Sequence, residues 1–123
     1  MIPMLKILIV DDDAAVRGIL LDLFSGTYEC NSASTAEEAF EFLKIEDYDA
    51  VITDIAMPGL DGLELLRCVQ QKNPNTPVIL ISGKGSEEDS ESFIHLGAFA
   101  YVTKPFSLEH IEELVQRAVS SKD

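Results

Sequence analysis

Apolar and polar positions follow two rhythms along this chain, and the rhythms alternate. Leu5-Lys6-Ile7-Leu8-Ile9-Val10 is a near-continuous apolar run, the pattern of a strand buried on both faces. Val16, Ile19, Leu20 and Leu23 then fall at i, i+3, i+4 and i+7, which predicts a helix with that stripe turned inward. Gly26 is placed to stop it. Residues 27–31 are short and more polar, as an edge strand would be. Ser34 with Glu37 reads as a capping box for a second helix, which carries Ala36, Ala39, Phe40 and Leu43. Ala50-Val51-Ile52-Thr53 predicts a third strand. Pro58-Gly59 breaks the chain before a third helix with Leu63, Leu66 and Val69 inward, and Asn73-Pro74 ends it. Val78-Ile79-Leu80-Ile81 predicts a fourth strand. Ser86 with Asp89 opens a fourth helix and Gly97 stops it. Residues 99–103 form the fifth strand, and Ser107 caps a last helix bearing Ile111, Leu114, Val115, Ala118 and Val119.

Five strands alternating with five helices predict an α/β, doubly wound parallel sheet with helices on both faces. Right-handed crossovers leave few topologies. The expected strand order is 2-1-3-4-5, the flavodoxin-like (βα)5 arrangement. The 123 residues fit one domain, 1–123, without repeats or linker, and can bury a core without disulfides. A hydrophobic fraction of 46% excludes disordered and fibrous classes. No apolar run is long enough to span a bilayer. The apolar start runs directly into three aspartates without a basic flank, so it reads as a strand and not a leader, and the cytoplasm is the expected location. Acids outnumber bases 22 to 9, and a net charge of −13 argues against nucleic acid as a direct partner. Cys30 and Cys68 are not spaced as a metal pair and are expected to be reduced.

Open parallel sheets bind ligands beyond the carboxyl ends of their strands. The first strand delivers Asp11, Asp12 and Asp13 there, the third Asp54, the fourth Ser82 and the fifth Lys104. Each alone has a plain structural reading. Asp13 suits a helix cap, Ser82-Gly83 a turn, and Lys104 a solvated surface. Together they place repelling carboxylates at one rim, an arrangement best kept by a bound cation. Mg²⁺ takes such oxygen ligands, Lys104 can meet a phosphate as a point charge, and Ser82 can donate to a phosphoryl oxygen. The set fits phosphoryl transfer to a carboxylate, with Asp54 as nucleophile.

Four segments carry a family resemblance. They are Ile7-Leu8-Ile9-Val10-Asp11-Asp12-Asp13, Thr53-Asp54-Ile55-Ala56-Met57-Pro58-Gly59-Leu60-Asp61-Gly62, Leu80-Ile81-Ser82-Gly83 and Tyr101-Val102-Thr103-Lys104-Pro105-Phe106. In this order, and over essentially the whole chain, they resemble the response-regulator receiver domain of two-component signalling. The resemblance implies a phosphoacceptor at Asp54, supplied by a sensor histidine kinase or phosphotransfer protein. It implies Mg²⁺ on Asp11, Asp12, Asp54 and the backbone carbonyl of Ala56, with Asp11 acting mainly through metal-bound water. Lys104 and Ser82 would contact the phosphoryl group, Ser82 and Tyr101 would switch, and the Lys104-Pro105 bond would be cis. The fourth helix, fifth strand and fifth helix would form the output face, for a homodimer or an effector. Such a domain assists its own phosphorylation and dephosphorylation but is not a turnover enzyme. Ala56, two places past Asp54, has no side chain to orient water, which implies slow self-dephosphorylation, while Lys84 could reach the phosphoryl group. Met57 is expected to pack its loop, and His95 and His110 to lie on the surface.

Three rival readings make distinct demands. An unphosphorylated pseudo-receiver would lack at least one core residue, and none is missing. An aspartate-nucleophile phosphatase would need a second acid at position 56, where Ala56 stands. A flavin carrier would need a Gly/Ser/Thr-rich phosphate loop after the first strand, and three aspartates there would repel the flavin phosphate.

Overall fold

The computed structural model describes residues 4–57, 60–83 and 87–121. The predicted alternation is present. In chain order the elements are β1 (Lys6–Val10), α1 (Ala14–Phe24), β2 (Glu29–Ala33), α2 (Ala36–Ile45), β3 (Ala50–Asp54), α3 (Gly62–Lys72), β4 (Val78–Ser82), α4 (Glu87–His95), β5 (Ala100–Thr103) and α5 (Leu108–Ser120). The sheet runs β2-β1-β3-β4-β5 with every pairing parallel, the expected order. A small antiparallel pair, Ala56–Met57 with Leu60–Asp61, lies in the β3–α3 connection and was not foreseen.

Strand side chains alternate between faces, so a strand buried on both sides must feed two cores. Ile7, Ile9, Ile52, Ile79 and Ile81 pack with Leu20 and Phe24 of α1 and with Ile111, Leu114, Val115 and Ala118 of α5. Leu8, Val10, Val51, Val78 and Leu80 pack with Ala36, Ala39 and Leu43 of α2 and with Leu65, Leu66 and Val69 of α3. The period-two split of adjacent residues is the physical content of the doubly wound fold.

Several local expectations shift. β2 covers Glu29–Ala33 and not residues 27–31, because the N–H groups of Thr27 and Tyr28 close the end of α1 on the Phe24 carbonyl. The α2 cap lies one residue later than expected. Thr35 accepts from the Glu38 N–H at 3.1 Å, and the Glu38 carboxylate accepts from Ser34 N–H at 3.0 Å and Ser34 Oγ at 2.6 Å. Ile19, assigned to the inward stripe of α1, is 48% exposed, and Phe24 is buried instead, edge-on to Tyr28. Leu65 is also buried, beside the foreseen Leu66 and Val69. β5 starts at Ala100, one residue late.

Gly26 does not end α1 in a left-handed turn. Ser25 ends it instead, in right-handed helical conformation, its N–H donating to Leu21 O. Gly97 does stop α4 as expected, at φ 110°, where an L side chain is strained. A Cβ there would meet Gln70 Nε2, which donates to Leu96 O at 3.0 Å. Ser107 caps α5 and Asp13 caps α1, both as expected. The Ser86 cap, the Pro58-Gly59 break and Lys84 lie outside the described residues, as does the side chain of Met57. His95 and His110 are exposed, and both cysteines are unbridged. Among the described residues no helix is long and apolar enough to cross a membrane.

Candidate functional site

Register explains how the rim is assembled. Val10 pairs with Thr53, so the next residues, Asp11 and Asp54, are side by side. Ser82 pairs with Thr103, so Lys104 steps past the end of β4. Lys104 N–H donates to the Ser82 carbonyl at 2.7 Å, extending the β4–β5 ladder by one bond. The Lys104-Pro105 bond is cis.

The side chains of Asp11, Asp12, Asp54 and Lys104 converge as the sequence suggested. Asp11, Asp54 and Ser82 are buried at 1%, 6% and 6% exposure, while Asp12 is exposed. Lys104 Nζ lies 3.2 Å from Asp11 Oδ2 and 3.2 Å from Asp54 Oδ2. Asp11, Asp12 and Asp54 each offer a carboxylate oxygen within 4.8 Å of the others. Asp13 faces its helix instead, accepting from Ala15 N–H at 2.9 Å. Tyr101 is half-buried on β5 and stacks on Phe93 of α4, ring centroids 5.7 Å apart. Ala56 sits in the short ladder just past Asp54.

Electrostatics match this crowding. Burial pushes the Asp11 carboxyl above the ordinary range and the nearby Asp54 charge adds to it, against the pull of the Asp13 N–H and Lys104. Burial also works against the Lys104 charge, but pairing with Asp11 and Asp54 outweighs it and raises the ammonium's pKa. Asp11 Oδ2 pairs with Lys104 as an ion but accepts no well-formed hydrogen bond, alone among the buried side-chain polar atoms of the described residues. A buried carboxylate oxygen with spare acceptor capacity, facing two further carboxylates, suits a hard divalent cation. An oxygen-only donor set favours Mg²⁺ over softer metals.

Reading the sequence missed one polar residue at this rim. Arg17 of α1 donates from Nη1 to the backbone carbonyl of Asp11 at 2.7 Å. The available signal was that Arg17 is the single base between Lys6 and Lys44, four to six residues after three acids.

Known proteins share this fold. A family model described as the response regulator receiver domain matches residues 7–116. The DNA-binding transcriptional regulator NtrC of Klebsiella pneumoniae is 35% identical over 113 residues, covering 91% of this chain and 24% of NtrC. The chain thus spans about a quarter of that relative's length. A CheY-like receiver domain from Methanospirillum hungatei superposes with a TM-score of 0.90 at 29% identity, covering 98% of this chain and 97% of that one. The beryllofluoride-activated NtrC4 receiver domain dimer superposes at 0.89 and 27% identity, covering 96% and 98%.

Proposed function

The chain belongs to the response-regulator receiver family, and on that footing we propose that Asp54 accepts a phosphoryl group from a phosphohistidine of a sensor histidine kinase or a phosphotransfer protein. The observation that carries this reading is Lys104 Nζ held 3.2 Å from each of two buried carboxylates, Asp11 and Asp54, with Asp12 beside them.

One Asp54 carboxylate oxygen attacks phosphorus as the phosphorus–nitrogen bond breaks. The electron pair returns to the imidazole nitrogen, and Asp54 becomes an acyl phosphate. Asp11, Asp12, Asp54 and the Ala56 backbone carbonyl would hold Mg²⁺, which when bound offsets the negative charge of carboxylates and phosphoryl oxygens. Lys104 supplies a preorganised cation already in contact with the reacting carboxylate, so little rearrangement is needed as charge redistributes. The Ser82 hydroxyl then donates to a phosphoryl oxygen. That movement frees space into which Tyr101 turns, leaving its stack on Phe93. The face built from α4, β5 and α5 changes with it and regulates a partner or effector domain, or pairs two copies. The NtrC4 receiver forms a dimer in its activated state, which supports the second use. The chemistry is a stoichiometric switch in the cytoplasm, without turnover and without direct contact to nucleic acid or membrane.

Intact mass tests this directly. After incubation with a small acyl-phosphate donor, the parent should gain one phosphoryl mass with Mg²⁺ and not without it. Asp54→Ala should gain none. An unmodified parent that still binds Mg²⁺, and stays unmodified with its cognate kinase, would leave a pseudo-receiver in place of the phosphoacceptor.

A further inference from the structure

Asp12 poses a problem of alignment. It is the exposed member of the carboxylate group, and its place depends on the backbone that carries it. A peptide unit is a rigid plane, so the Asp11 carbonyl and the Asp12 N–H and Cα move together. Whatever holds that carbonyl aims Asp12.

The guanidinium of Arg17 holds it. Nη1 donates to the Asp11 carbonyl at 2.7 Å, a short charge-assisted contact. On the other side of the same residue, the Asp11 N–H donates to Ala33 O at 3.1 Å. The Asp11 side chain is fixed in turn by the Asp13 N–H on Oδ1 at 2.9 Å. Arg17 is itself anchored, since its N–H donates to the Asp13 carbonyl at 3.0 Å in the first turn of α1. Its half-buried side chain also lies close enough to Glu38 for its charge to help hold that carboxyl low, after the larger effect of the Ser34 hydrogen bonds. The guanidinium thus ties the end of β1 and the following loop to α1.

We infer that Arg17 is a positioning residue for the divalent cation, holding the Asp11–Asp12 peptide plane so that the Asp12 carboxylate meets the Asp11 and Asp54 oxygens. The inference rests on the phosphoacceptor reading and adds a residue that acts through the backbone. Charge and geometry make opposite predictions here. A guanidinium is a like charge to the metal, so its removal by charge alone would tighten Mg²⁺ binding. Loss of the held peptide plane would weaken it.

Calorimetric Mg²⁺ titration of the whole chain separates the two. Arg17→Met keeps the apolar stem and removes both charge and donors. It should raise the Mg²⁺ dissociation constant by about tenfold, the scale of lost outer-shell support. The Mg²⁺ concentration for half-maximal phosphoryl mass gain should rise in step, while the gain at saturating Mg²⁺ stays at the parent level. A general folding defect would not produce that split. Arg17→Gln, a second variant in case the first melts early without metal, should show the same loss. Arg17→Lys, which keeps a charge and a donor, should recover part of it. Arg17→Met or Arg17→Gln binding Mg²⁺ as tightly as the parent, or more tightly, overturns the inference, as does Arg17→Lys no better than Arg17→Met. If the parent itself neither binds Mg²⁺ nor gains mass, the phosphoacceptor reading has failed and this inference falls with it.

Discussion

If Asp54 is the phosphoacceptor, the residue two places past it would stand where water approaches the acyl phosphate, and here it is Ala56. The alanine side chain has no atom that can accept from or donate to a water, so hydrolysis lacks an orienting side chain at that position. The phosphorylated chain should lose its added mass over minutes or longer once the donor is removed. A half-life of seconds contradicts this, and Ala56→Asn should shorten the lifetime. A different residue-level device works at the opposite end of the strands, where Lys6 Nζ donates to Glu46 at 3.0 Å and Asn31 Nδ2 to the same carboxylate at 2.9 Å. The Lys6 hydrogen bond, against some burial, holds the Glu46 carboxyl below its ordinary value of 4.5. An acid lowered in the folded state contributes stability that is present above its unfolded pKa and is lost as pH falls through the folded one. Lys6 is raised by the same hydrogen bond, so its share is present below its unfolded value of 10.5 and fades only in alkali. Urea midpoints of parent and Glu46→Gln should therefore differ at neutral pH and converge below the ordinary glutamate range. A constant gap across that range would assign the effect to packing.

At the scale of elements, helix ends were the least legible feature, and α2 shows why. Ser34, Thr35, Glu37 and Glu38 contain two overlapping capping patterns, and spacing alone favours neither. The choice is made by β2, which runs to Ala33 and leaves Thr35 in extended conformation, φ −136° and ψ 162°, as a cap residue requires. Thr35→Ala should then cost about 1 kcal/mol in urea unfolding, and Ser34→Ala less. Equal costs would restore the earlier cap. The same tertiary preference explains Ile19. The i, i+3, i+4, i+7 template fits α1, but the helix turns Leu20 and Phe24 to the sheet, and Tyr28 covers its last turn. The short ladder at Ala56–Met57 had no signal of its own, since two-residue strands carry no period. Strands and their order, by contrast, were readable, because unbroken apolar runs such as Val78-Ile79-Leu80-Ile81 admit few other burials. The rim was equally readable, since each of Asp11, Asp54, Ser82 and Lys104 lies at or just past the carboxyl end of a strand and parallel register brings those ends together. Arg17 was not, because its contact is to a backbone carbonyl, and no side-chain pattern reports that.

For the whole molecule, charge sets the terms on which two copies could meet. At −13, each chain repels another, and association must overcome that field with apolar contact. Ile94 on α4 and Leu96 just past it are 42% and 43% exposed, apolar surface next to the Phe93–Tyr101 stack that the switch would disturb. The proposed homodimer through α4, β5 and α5 would bury this surface at the cost of bringing like charges together. Screening should then favour it. Between about 0.1 M and about 1 M salt the Debye length falls from about 10 Å to about 3 Å. Sedimentation of the chain with Mg²⁺ and beryllofluoride should show more dimer at the higher salt, and mostly monomer without beryllofluoride at either. Ile94→Asp should remove the dimer while leaving the phosphoryl mass gain intact, because it lies away from the carboxylates. A monomer under every condition would assign this face to a different partner and leave the chemistry at Asp54 untouched. A dimer that ignores both beryllofluoride and Ile94→Asp would place self-association elsewhere on the molecule, uncoupled from the rim.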